Sequence, residues 1–198
     1  MHHHPSSHKE FSLKEFMIRV EKKIYPKRYL ILTLVLLIAA AIGFFTILKM
    51  LFFLILLAAL NVAVSIFARH LPYFKQSIEL MTFSTIIAAV SYGPKVGAIF
   101  GLISCILYYF AAGRVSFYII VFAPLYALEG LIASLFSGYP IFNVAMTAVI
   151  IYTIISSIIV VLFLGARISK AIDFAVKNTL WNIILFKYIA PIMLSVMK

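Results

Sequence analysis

YLILTLVLLIAAAIGFFTILKMLFFLILLAALNVAVSIFA, residues 29–68, carries one charged side chain, Lys49, in forty positions. An α-helix rises about 1.5 Å per residue, and the hydrocarbon layer of a bilayer is about 30 Å thick. One crossing therefore takes about 20 apolar residues. The run is twice that length and predicts two crossings, divided at Lys49, whose ammonium group belongs at the membrane interface. The rest of the chain has the same character. Of its 198 residues 65% are hydrophobic and 12% charged, and the mean hydropathy is +1.12. Soluble domains average about 45–50% apolar and about 25% charged residues. A water-soluble fold of this size could not hide so much apolar surface, so the sequence specifies a multi-pass membrane protein.

Upstream of the run, residues 1–28 hold seven basic residues, Lys9, Lys14, Arg19, Lys22, Lys23, Lys27 and Arg28. Ser12 and Glu15 have the spacing of a capping box, and Phe11 and Phe16 that of a hydrophobic staple. Leu13, Phe16, Met17, Val20 and Ile24 share one helical face. The expectation is a basic amphipathic helix on the membrane surface, stopped by Pro26. His2, His3, His4 and His8 are set aside as an end segment. Downstream, a polar loop at 69–75 precedes a short apolar segment at about 80–92. That segment is either a thin crossing or a dip shielded by protein. Further crossings are expected at about 95–112, 115–137, 142–165 and 171–197. Barrel strands are near ten residues and alternate in polarity, which excludes a β-barrel here. The fold class is an all-α, polytopic helical bundle.

SYGPKVGAIFG, Ser91–Gly101, punctuates that bundle. Gly93 is placed to end one helix in the left-handed region, and Pro94 to begin the next, where its missing N–H costs nothing. Gly93, Gly97 and Gly101, four residues apart, lay a side-chain-free strip along one face. There a neighbouring backbone can approach closely.

Few polar groups remain to carry chemistry. Glu129 falls deep in the 115–137 crossing, where an ionised side chain costs roughly 3 kcal/mol on insertion scales. It is either a solute, ion or proton contact or a structural carboxyl. Asn178, Trp181 and Asn182 share one face of the last helix. They read either as an aromatic wall with oriented amides lining a pocket or as an interfacial Trp with helix-bridging amides. Asp173 and Lys177, four apart, read as a helix-surface pair. Glu79, with Lys75 and Tyr73, lies in the loop before the short segment. Arg114 and Tyr118 mark a helix entry. No metalloprotease, P-loop or nucleophile-elbow motif is present, so no enzyme, cofactor or resident metal is expected. The single cysteine, Cys105, excludes an internal disulfide.

Taken in order, residues 50–197 resemble the substrate-binding S component of energy-coupling-factor (ECF) vitamin transporters. The features are a helix with small residues at Ala59 and Ala63, a proline-bearing loop from Leu71-Pro72 to Glu79, GPKVGAIFGL at Gly93–Leu102, ALEGLIASL at Ala127–Leu135, and RISKAIDFAVKN at Arg167–Asn178. The rod-shape membrane protein family is similar in outline. The ECF resemblance implies a six-helix membrane module over 50–197, with residues 29–48 an extra N-terminal transmembrane helix and 1–28 a basic tail. It implies capture of a vitamin-like molecule or metal ion. The solute then crosses with the help of a coupling membrane subunit, met through Ala59 and Ala63, and of partner ATPases. The candidate solute contacts are Glu129, Asn178, Trp181, Asn182, Glu79, Arg114 and Tyr118. The rod-shape alternative implies a non-transporting scaffold for cell-envelope enzymes. Location in the cell membrane follows from either, and no contact with nucleic acid is expected, because basic residues flanking a crossing usually set its orientation. Charge bias and family orientation conflict. Seven crossings from an inside tail put Arg69, Lys75, Arg114, Arg167, Lys170 and Lys177 with the tail, against Lys49, Lys95 and Lys198 outside. The family's module instead begins in the cytoplasm.

Overall fold

The computed structural model describes residues 13–70, 79–113 and 117–197, without the side chains of residues 13–30, Arg69 and His70. Every regular element among them is helical. The chain divides into two compact units, Met1–Leu48 and Lys49–Lys198. One helix assignment, α1 (Leu13–His70), runs through both. Two sequence expectations are thereby corrected. Pro26 does not stop the helix, and no turn separates two crossings at Lys49. A proline removes one N–H and crowds one carbonyl, but its own φ is helical. Around Lys49 the sequence ILKML offers only good helix formers and no glycine, proline or capping residue. The capping box and staple at Phe11–Phe16 lie outside the described residues.

In the first unit every residue from Ile31 to Leu48 is exposed. A helix that is apolar all round suits hydrocarbon on every side.

The second unit begins with the Lys49–His70 part of α1 and continues with α2 (Met81–Tyr92), α3 (Pro94–Ala111), α4 (Tyr118–Leu135) and α5 (Ile141–Leu162). It ends with α6 (Ile168–Ile184), which passes through a π-helical turn (Leu185–Ile189) into α7 (Ala190–Met197). Five of the helices are long and apolar enough to cross a membrane. The protein is thus a multi-pass, all-α membrane bundle, and its outward isoleucines, leucines and phenylalanines face lipid. The π turn has a local cause in Pro191. A proline ring clashes with the carbonyl four residues earlier, here Lys187, and a widened turn relieves it.

The helix α2 is the short apolar segment, and it takes the shielded alternative. Its 12 residues rise only about 18 Å, and every side chain from Met81 to Ala89 is buried. It ends at Gly93, with φ 91° and ψ 175°. Positive φ was expected, but the left-handed helical region was not reached. The residue before a proline is pushed to extended ψ, and only glycine combines that with positive φ. Pro94 takes the first helical position of α3, and Lys95 is exposed beside it.

The glycine strip does what close packing requires, at two of its three positions. A Cβ on Gly97 would lie 2.3 Å from the Ala89 Cβ, and one on Gly101 would lie 2.6 Å from the Tyr126 carbonyl oxygen. The facing helix contributes a glycine of its own. A Cβ on Gly130 would lie 2.7 Å from the Gly97 carbonyl carbon. Backbone thus meets backbone where α3 crosses α4, and that crossing fixes the height of Tyr126 and Glu129 in the bundle. Two buried side-chain bonds tie α1 to this core. Asn61 Nδ2 donates to Ser84 Oγ at 2.7 Å, and Ser65 Oγ donates to the Tyr108 carbonyl at 2.8 Å.

Candidate functional site

Hydrocarbon cannot satisfy a polar group, so polar side chains in such a bundle collect where they can satisfy one another. The second unit does this around Glu79. This residue is 7% exposed and sits two residues before the first turn of α2, where the positive end of the helix favours an acid. Tyr126 of α4 donates its hydroxyl proton to Glu79 Oε2 at 2.8 Å. Thr82, in the first turn of α2, donates more weakly to Oε1 at 3.3 Å. Trp181 Nε1–H of α6 donates to the Glu79 backbone carbonyl at 3.0 Å. One residue thereby gathers α2, α4 and α6. The Tyr126 ring also packs on Tyr152 of α5, with centroids 4.9 Å apart.

Glu129 stands three residues beyond Tyr126, on the same face of α4. It is 1% exposed, and neither carboxyl oxygen has a hydrogen-bond partner among the described residues. The Thr82 hydroxyl lies beside Glu129 as well as Glu79, and its one proton serves only one of the two carboxyls at a time.

The two asparagines form a second polar group. Both are fully buried. Asn182 Nδ2 donates at 2.9 Å to both the backbone carbonyl and Oδ1 of Asn178. Asn178 Nδ2 reaches Thr153 Oγ1 of α5 at 3.4 Å, at the long limit for such a bond. Asn182 Oδ1 is left without a partner among the described residues. Through Trp181, on the same face of α6, this group adjoins Glu79.

Of the sequence candidates, Trp181 is hydrogen-bonded to Glu79, Asn182 to Asn178 on the same helix as Trp181, and Glu129 stands one turn along α4 from Tyr126, which bonds Glu79. Tyr118 stands elsewhere, 43% exposed at the start of α4 and stacked on Phe122. Arg114 and the loop residues Tyr73 and Lys75 lie outside the described residues. Ala59 and Ala63 are exposed on α1, where a second helix has access to them. Asp173 and Lys177 pair on the surface at 2.6 Å. The sequence reading missed Tyr126 and Thr82, although the spacing of Tyr126 from Glu129 was a usable signal. Two open, wholly apolar grooves indent the outside of the second unit. One, of about 360 Å³, lies between α5 and α6 around Ser157 and Ala171. The other, of about 340 Å³, lies between α1 and α3 around Leu54 and Phe100. Neither is lined by Glu79, Glu129 or the asparagines.

Comparison with known protein families, curated proteins and solved structures gives no match to this chain.

Proposed function

We propose that this chain is the solute-binding membrane subunit of an uptake system of the ECF type, capturing a small solute and passing it on with partner ATPases. The observation that carries the reading is Glu129. A carboxyl in the middle of a membrane helix is expensive, and most buried polar groups find a partner within their own protein. This one finds none among the described residues, while one turn away on the same helix Tyr126 bonds Glu79, which Trp181 also meets. A pocket for a large heterocycle would be lined by aromatic and polar groups. The grooves on this surface are apolar and lie apart from the polar group, which favours the small end of the solute range. The helix order and the GPKVGAIFGL turn add the family resemblance, and exposed Ala59 and Ala63 leave a small-residue face free for a coupling subunit.

The test is reconstitution. Coexpressed with coupling and ATPase subunits of this type, the chain should copurify with them and support ATP-dependent solute accumulation. Glu129→Gln should abolish accumulation without dissolving the complex. Failure to associate with any coupling subunit would refute the proposal.

A second reading has one observation in its favour. A scaffold needs external faces and a filled interior, and the two apolar grooves are external. Under that reading Glu129→Gln leaves partner recruitment unchanged, and substitutions in the α5–α6 groove abolish it.

A further inference from the structure

We infer that the outer face of the π turn, where Lys187 and Tyr188 stand, receives a transmembrane helix of another membrane protein, one that brings a carboxyl group to mid-membrane depth. The partner is called for whether or not the chain carries a solute.

Depth comes first. The helical run Ile168–Met197 has 30 residues, which rise about 45 Å and exceed one crossing. Its first part holds Lys170, Asp173 and Lys177, all exposed, and such groups belong with water and headgroups. From Lys177 to Met197 the rise is about 30 Å, one hydrocarbon thickness, and Lys187 is halfway. Neighbouring helices give the same level. Tyr126 is the ninth of the 18 residues of α4. A Cβ on Gly101 would meet both the Tyr126 carbonyl and the Thr85 side chain, so these three share that mid-height. Phe83, half a turn from Thr85 along α2, packs its ring on Phe186, with centroids 5.2 Å apart, and Phe186 adjoins Lys187.

At that depth Lys187 is exposed. So are Tyr188, at 61%, and Ile184 and Ile192 near it. The ammonium group stands 5.6 Å from the centroid of the Tyr188 ring, a contact that softens its charge without neutralising it. A lysine near a helix end can bend its head to the interface. Here the interface is about 15 Å away in either direction, and a four-carbon stem reaches only about 6 Å. Ionisable groups this deep almost always face protein or a water-filled cavity and pair there.

The chain's own acids do not serve. It has six. Glu79 and Glu129 are buried, and Asp173 is paired with Lys177, about 21 Å along the helix from Lys187. Glu10, Glu15 and Glu21 precede the first apolar run, among the basic residues of the tail. A second copy therefore offers Lys187 no carboxyl at its level. A helix of a different protein, with Asp or Glu at its centre, does, and its apolar flanks cover the exposed isoleucines.

Trp181, the only tryptophan, supplies the reporter, six residues from Lys187. The full chain is reconstituted in phosphatidylcholine vesicles with a synthetic peptide of about 20 leucines, lysine-flanked, dansyl-labelled at one end and carrying one central Asp. Quenching of Trp181 emission by dansyl measures association. The Asp peptide should bind at least ~10-fold more tightly than the all-leucine peptide. Lys187→Met should bring it down to the all-leucine level, and Lys187→Glu should restore binding to a peptide with a central Lys. Equal binding of the Asp and all-leucine peptides would overturn the inference, as would an undiminished preference in Lys187→Met. Loss of the preference when phosphatidylglycerol is added gives the face to a lipid headgroup and also overturns it. So does self-association of the chain that Lys187→Met abolishes, since that assigns the face to a second copy. Folding is the control. Without a partner Lys187→Met should resist SDS at least as well as wild type, because no ammonium is left facing hydrocarbon. A lower SDS midpoint makes Lys187 an internal support and overturns the inference.

Discussion

Replacing Gly130 by alanine tests the crossing on which the polar group depends. The new Cβ would stand 2.7 Å from the Gly97 carbonyl carbon, 2.8 Å from its oxygen and 3.0 Å from the Ala98 nitrogen. Carbon atoms rest about 3.5–4.0 Å apart, so α3 and α4 must separate by nearly 1 Å. All three obstacles are backbone atoms, and no rotamer change can move them aside. Overpacking costs typically about 1–3 kcal/mol, and a backbone obstacle belongs at the upper end, near 3. Alanine returns about 1 kcal/mol through its better helix propensity. The net expectation is a loss of about 2 kcal/mol, roughly a thirtyfold fall in the folded-to-unfolded ratio. Unfolding in mixed micelles by increasing SDS, followed by Trp181 emission, measures it. Gly43→Ala is the control, since nothing lies within 4 Å of a Cβ there. It should be neutral or stabilising by up to about 1 kcal/mol. Gly130→Ala within about 0.5 kcal/mol of wild type would refute the close crossing, and equal damage from Gly43→Ala would refute the reasoning from space.

Tyr126→Phe removes the shorter of the two side-chain bonds to Glu79 and keeps the ring against Tyr152. A hydrogen bond contributes about 0.5–1.5 kcal/mol, and about 1.5–3 when its acceptor is charged; burial pushes the Glu79 carboxyl up to about 7, so the same SDS titration should show a loss in the lower range below that pH and in the upper range above it. Asp173→Asn should change stability by no more than about 0.5 kcal/mol, because its pair with Lys177 is solvent-exposed, with side chains 60% and 47% accessible. Sidedness is open to a cysteine placed at Ser137, in the exposed α4–α5 connection. The native Cys105 is buried and gives no background. The charge count expects Ser137→Cys to react with impermeant maleimide in intact cells, and protection until lysis would favour the family orientation instead.

Much of the bundle was legible because lipid leaves so little choice. Apolar runs of crossing length bounded by Gly113, Gly138-Tyr139-Pro140 and Arg167 gave α3 to α7 to within a few residues, since a span must end where polar backbone can meet water. The Gly93-Pro94 turn was legible for a different reason, namely that each residue has one economical place at a helix junction. Lys49 misled because a charge marks an interface only on average, and nothing near it breaks a helix. Glu129 was legible as an anomaly in its own segment. Its setting was not, because Tyr126 meets Glu79 across 47 residues of sequence and periodicity within one helix carries no record of its neighbours. The same holds for Gly130. Its need for space comes from Gly97, on another helix, and the pairing exists only once α3 and α4 have crossed.

Native mass spectrometry of the chain released from lipid nanodiscs, purified without chelator, bears most directly on the claim that Glu129 is kept for a solute. The account expects wild type to carry one bound mass above the bare chain, and a folded Glu129→Gln variant to have lost it. A wild-type chain that flies bare, with the same mass profile as the variant apart from the substitution, would contradict it.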